Sequence, residues 1–254
     1  MSLRDRYFDG LVSRVEADSR QAVADGESSA STRRVAVVLL TATIALTAIR
    51  FGQNGTTPDW LADWSTPEFA RLARWATVNI AGYLLIPWIA IRFLLGLRIR
   101  DFGLTTRGLA TTWQPYAVLL ALSVPFVVLA SYSDAFQSKY PFYDLSVGES
   151  LWPWMALWWV LYLLQFLGVE FFFRGFMTLG LAPRFGTGAV FAMVVPYVMI
   201  HFTKPALEAV AAIVGGTVLG FLALKTRSVW WGVAVHVSIA LLMDFLALWH
   251  VGLP

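Results

Sequence analysis

Apolar residues in this chain come in long unbroken runs, not in the alternation of a strand or the single stripe of a soluble helix. About 20 such residues cross ~30 Å of hydrocarbon at ~1.5 Å per residue. Seven stretches can be drawn on that basis, at 35–51, 75–97, 114–133, 152–180, 186–202, 206–224 and 228–249. The pattern predicts an all-α fold, a polytopic transmembrane helix bundle with a polar intramembrane cavity. The chain divides into a polar tail at 1–34, N-terminal spans at 35–149 and a core at 150–250 that holds the informative polar residues.

In the tail, Leu3, Tyr7, Phe8, Leu11, Val12 and Val15 recur at helical spacing. This suggests an amphipathic helix on the membrane surface, with a solvated tail as the alternative. The first apolar run begins too late for a cleavable signal. Between the first two spans, Trp60, Trp64, Phe69 and Trp75 lie among polar residues, as in an aromatic-rich interfacial segment that Pro58 and Pro67 interrupt. No internal repeat is visible, which weighs against a transporter built from inverted halves.

Composition sharpens the picture. The chain is 58% hydrophobic and 14% charged, against about 25% charged in a soluble domain, so it cannot cover itself with polar surface. Its net charge of +3 comes from basic residues set between apolar runs, which argues for topology signals and against nucleic acid. The tail, Arg92 to Arg107, Arg174 with Arg184, and Lys225 with Arg227 all fall on one side. Arg50, Arg71, Arg74, Lys139 and Lys204 fall on the other. The positive-inside rule then places the N-terminus in the cytoplasm, and a bacterial inner membrane is the expected location. With no cysteine and three histidines, any metal would be held by His and carboxylates.

The candidate chemistry is concentrated late in the chain. Glu170 and Arg174 are four apart in Gly168-Val169-Glu170-Phe171-Phe172-Phe173-Arg174-Gly175, so they share a helix face. Tyr197 precedes His201 by four residues near the end of the fifth span, with Lys204, Pro205 and Glu208 following. His236 opens the seventh span, and Asp244 lies two turns further on. Counted from Arg184, Glu170 is ~21 Å deep and His201 ~25 Å; from Arg227, His236 is ~13 Å deep, a gap that tilt and side-chain reach can close. Plainer readings exist: Arg174 neutralising Glu170, Lys204 and Glu208 as an interfacial pair, each His as a packed helix residue, and His250 snorkelling to the interface. Intramembrane ionisable groups are nonetheless functional by default.

These motifs resemble the CPBP family, the CAAX-protease and bacteriocin-processing membrane endopeptidases, which carry Glu-Glu-x-x-x-Arg, an aromatic-x-x-x-His and His-x-x-x-Asn on separate helices. Glu170 and Arg174 match the second Glu and the Arg, Tyr197 and His201 the second motif, and His236 the third. Arg100-Asp101-Phe102-Gly103-Leu104 resembles a shorter family feature. Val169 replaces the first Glu and Ala240 the Asn, while Glu208 could supply a carboxylate from the sixth span.

The resemblance implies an intramembrane endopeptidase acting on a membrane-tethered or prenylated protein or peptide. Glu170 would be the base, Arg174 its orienter, and His201 and His236 the ligands of water. A Zn2+ held by His201, His236, Glu170 and Glu208 is the other route the resemblance implies. Tyr197 and Asp244 would form a supporting layer, Asp244 by bonding His236. A catalytically silent scaffold or self-immunity protein and a proton-coupled transporter are the competing classes.

Overall fold

The computed structural model describes residues 10–24, 28–143 and 152–252. The described residues are helical throughout, joined by turns and short loops. We label the main helices α1 (Gly10–Ala24), α2 (Ser28–Gly52), α3 (Asp59–Trp64), α4 (Pro67–Leu94), α5 (Gln114–Ala130), α6 (Trp154–Phe185), α7 (Gly188–Met199), α8 (Ala206–Thr226) and α9 (Trp230–His250). Five of them, α2, α4, α6, α8 and α9, are long and apolar enough to cross a membrane. With the shorter apolar α5 and α7 they account for all seven expected stretches. The protein is an integral membrane protein.

Burial follows the helix faces. Leu40, Ile44, Leu122, Phe126 and Val214 point outward and are exposed, as lipid-facing side chains must be. Inward, Ala42, Ala45 and Ala76 are small enough to bring α2 and α4 close to their neighbours. The short α3 buries nothing, as expected of an interfacial segment, and Pro58 and Pro67 stand at the starts of α3 and α4.

Two arginines near the start of α2 reach backbone carbonyls of α4 and α6. Arg33 donates to the Leu94 carbonyl (2.8 Å), and Arg34 to those of Gly180 (2.9 Å) and Leu179 (3.3 Å). The expected surface helix is partly corrected here. Leu3, Tyr7 and Phe8 lie outside the described residues, but Leu11 and Val15 of α1 pack against the main protein core. Glu16 of α1 accepts from the Thr187 amide (3.0 Å) and hydroxyl (2.6 Å), which pins α1 to the start of α7. Those two hydrogen bonds hold the Glu16 carboxyl below its usual pKa.

Two long helices depart from α geometry. In α6, Phe171–Leu179 is π-helical, and in α4 π turns at Ala81–Leu85 and Ala90–Leu94 flank Pro87. Proline lacks an N–H to continue the ladder, which accounts for the wide turns of α4. In α6 the wide stretch begins immediately after Glu170, and such bulges are frequent at functional sites.

Candidate active site

Glu170 is the last residue of the regular part of α6, and neither it nor Arg174 is exposed at all. Arg174 lies within the π stretch, with Nη1 3.1 Å from Glu170 Oε1. Its guanidinium lies over the Tyr197 ring, with Cζ 4.1 Å from the ring centroid, and none of its N–H groups is aligned for a hydrogen bond. The charge is therefore balanced by proximity and by the aromatic face.

From α9, His236 Nδ1 meets Glu170 Oε1 at 2.7 Å, and its Nε2 meets the Tyr197 hydroxyl at 3.0 Å. Nδ1–H donates to the carboxylate, and Nε2 shares a hydrogen bond with the phenol, so both ring nitrogens are held in place. Phe166, one turn before Glu170 on α6, stacks on the imidazole at 5.5 Å and 10°. From α7, Tyr197 closes the chain of contacts, and its carbonyl accepts from His201 Nδ1 at 2.8 Å. Three helices thus bring together Glu170, Arg174, Tyr197 and His236. His201 joins through Tyr197, with its ring 4.7 Å from the tyrosine's.

Glu170 Oε2 is the odd atom. It is buried and has no hydrogen-bond partner. It points at Gly232, one turn before His236 on α9, where any Cβ would collide with it. Sequence reasoning did not single out Gly232, although its four-residue spacing from His236 on one helix face was a usable signal. The sequence also undervalued Phe102 and Gly103. Gly103 adopts φ +91°, and its carbonyl accepts from the Val229 amide at the head of α9 (3.1 Å). A Cβ at Gly175 would strike the Phe102 carbonyl, so the same strap also presses on α6.

Two expected site residues lie elsewhere. Asp244 does not bond His236: eight residues of helix separate them by ~12 Å along the axis, and Asp244 Oδ2 instead accepts from the Trp159 indole at 3.0 Å. Glu208 does not enter the Glu170 site. Its Oε2 accepts from the Tyr140 hydroxyl (2.7 Å), while Lys204 donates to that hydroxyl (3.0 Å) and stands 4.0 Å from Glu208 Oε1. Burial and the Glu208 carboxylate push the Tyr140 hydroxyl up, which keeps it a proton donor. The interfacial-pair reading of Lys204 and Glu208 fits this arrangement.

The donor set for zinc does not converge either. Among the described residues no three His or carboxylate side chains cluster as metal ligands. Both ring nitrogens of His236 and one of His201 are already engaged, and Glu208 is held by Tyr140. At the positions that depart from the family pattern, Val169 is buried in the main core, and Ala240 packs in a cluster with Tyr143, Trp158 and Tyr162.

Residues 151–242 match the family model described as Type II CAAX prenyl endopeptidase Rce1-like. That span contains Glu170, Arg174, Tyr197, His201, Gly232 and His236. Searches of curated proteins and of solved structures found no match.

Proposed function

We propose that this chain, whose residues 151–242 match the Rce1-like type II CAAX prenyl endopeptidase model, is an intramembrane endopeptidase that uses Glu170 as its general base. The supporting observation is the buried Glu170 carboxylate, with one oxygen held by His236 and Arg174 and the other free beside Gly232. A buried oxygen without a partner is the natural seat for a water.

In this reading His236 and Arg174 fix Oε1, and Oε2 takes a proton from the water as its oxygen bonds to the scissile carbonyl carbon. The Arg174 N–H groups, none aligned to a partner, offer donors to the oxyanion, in place of the asparagine whose position Ala240 fills. The carboxylic acid then returns its proton to the leaving amine as the C–N bond breaks. His201, with Nδ1 engaged, has Nε2 left to hold water or substrate. The residues do not suit Zn2+, so no step is assigned to it. Membrane lipid surrounds the site, and the substrate class is a prenylated or otherwise hydrophobic-tailed protein or peptide. The orientation is an inside N-terminus in a bacterial plasma membrane.

A second reading, a catalytically silent scaffold or self-immunity protein, is favoured by the apolar Val169 and Ala240. Cleavage of a membrane-anchored peptide by purified protein separates the two. Glu170→Gln is expected to lower the rate ~10²–10⁴-fold, the usual contribution of a positioned base, and His236→Ala comparably, with helicity preserved. Unchanged turnover in Glu170→Gln would end the assignment, and no turnover in the wild type with any hydrophobic-tailed substrate would favour the silent reading.

A further inference from the structure

On the flank of the bundle, α4 and α6 leave an apolar groove of about 520 Å³ lined by Ile80, Leu84, Leu104, Leu167 and Phe171, with Trp88 and Ile99 at one end. A second cavity of about 410 Å³ is bounded by Trp88, Ile99, Arg92, Arg98 and Arg100. The two share Trp88 and Ile99, so the groove adjoins a cavity lined by three arginines.

Those three arginines are exposed, and among the described residues none is ion-paired. The hydrogen bond made by the Arg92 side chain is a long one, 3.4 Å to the Leu97 carbonyl. Like charges set together without a counter-ion repel, and a phosphate with several acceptor oxygens is the group that relieves them. A fourth arginine, Arg33, donates to the Leu94 carbonyl, two residues along the chain from Arg92. Trp88, 41% exposed, stands at the junction, where an indole suits the boundary between headgroup and chain. From Trp88 back to Thr77 the groove follows α4 for ~16 Å, room for much of an acyl chain.

We propose that this composite groove is a binding site for an anionic phospholipid, its acyl chain lying between α4 and α6 and its phosphate among Arg92, Arg98 and Arg100. The charge favours this occupant: a neutral tail would fill the groove and leave the arginines unanswered, and a free phosphate would leave the groove empty. The groove is separate from the Glu170 site but shares a helix with it through Leu167 and Phe171.

The test uses the full chain in nanodiscs of equal phosphatidylglycerol and phosphatidylcholine, with the lipids that stay bound after release weighed by native mass spectrometry. The wild type is expected to retain phosphatidylglycerol preferentially. R92Q/R98Q/R100Q should lower that preference roughly tenfold or more, since each arginine beside an anionic headgroup is worth on the order of fivefold. R92K/R98K/R100K should keep most of it. Ala81→Trp, which fills the groove without touching the charge, should lower total retention, and this arm stands even if the triple glutamine variant fails to fold. Equal enrichment in wild type and the glutamine variant would overturn the proposal. So would displacement of the lipid by glycerol phosphate, which has no chain, or by a neutral farnesylated peptide, which has no phosphate. The readout is lipid mass, so it stands or falls independently of any peptide cleavage.

Discussion

Two carboxylate–cation pairs four residues apart look alike in the sequence and behave differently in the fold. Glu170 and Arg174 sit 3.1 Å apart with 1% of either side chain exposed, while Lys204 and Glu208 sit 4.0 Å apart with 18% and 25% exposed. The outer pair is bridged by the Tyr140 hydroxyl, which accepts from Lys204 and donates to Glu208, and Lys204 also stands 3.8 Å over the Phe142 ring. The inner pair leaves one carboxylate oxygen and all three guanidinium nitrogens without an aligned hydrogen bond. An assembly built for stability satisfies its polar atoms, whereas one built to receive water and substrate leaves acceptors and donors waiting. The contrast assigns structure to the outer pair and chemistry to the inner one.

The sharpest way to break the contrast is to remove one inner charge. Arg174→Met strands the Glu170 carboxylate in the bundle and is expected to cost about 3–5 kcal/mol, read by thermal unfolding in detergent. The double variant Glu170→Gln/Arg174→Met should recover most of it, and full additivity would show that the two groups are not coupled. Gly232→Ala acts on geometry alone, since its methyl occupies the place of Glu170 Oε2. Turnover should fall on the order of 10²-fold, the typical penalty for a misplaced group, with about 1–3 kcal/mol of stability lost to overpacking.

The outer assembly should respond more mildly. Tyr140→Phe removes the bridging hydroxyl and is expected to cost about 1–2 kcal/mol of stability without altering the pH profile of cleavage. The smallest effect belongs to Glu16, a partly exposed carboxylate on α1. Its pKa is depressed by hydrogen bonds from Thr187, so its contribution is present above pH ~4.5, the ordinary glutamate value, and is lost as pH falls through the lower folded-state pKa. Protection of the α1 amides from hydrogen exchange should fall in that window, and in Glu16→Gln it should be low at every pH.

Much of this was legible in the chain because membranes simplify sequence. Long apolar runs have one structural solution, and all seven expected stretches are helices. A handful of polar residues within them had few partners to choose from, so depth pointed to Glu170, His201 and His236 and spacing to Arg174, while Tyr197 entered through the family resemblance. What escaped depended on contacts between distant segments. Helical periodicity placed Asp244 on the face of His236 but could not show that Trp159 of α6 would claim it. Spacing from His201 left Glu208 free to enter the cavity, because nothing in the sequence marked Tyr140, in a loop 68 residues earlier, as its partner. The π stretch after Glu170 leaves no residue signature, since Phe171, Phe172 and Phe173 suit an ordinary helix equally well.

The strap formed by Phe102 and Gly103 bears on α6 at Gly175 and on α9 at Val229. The acid and the imidazole are therefore spaced against a common gauge and not merely by the fit of one helix to the other. In a thicker or thinner bilayer, where helices tilt to match the hydrocarbon, α6 and α9 must lean together. The 2.7 Å contact between Glu170 and His236 is then conserved while the outer helices absorb the mismatch.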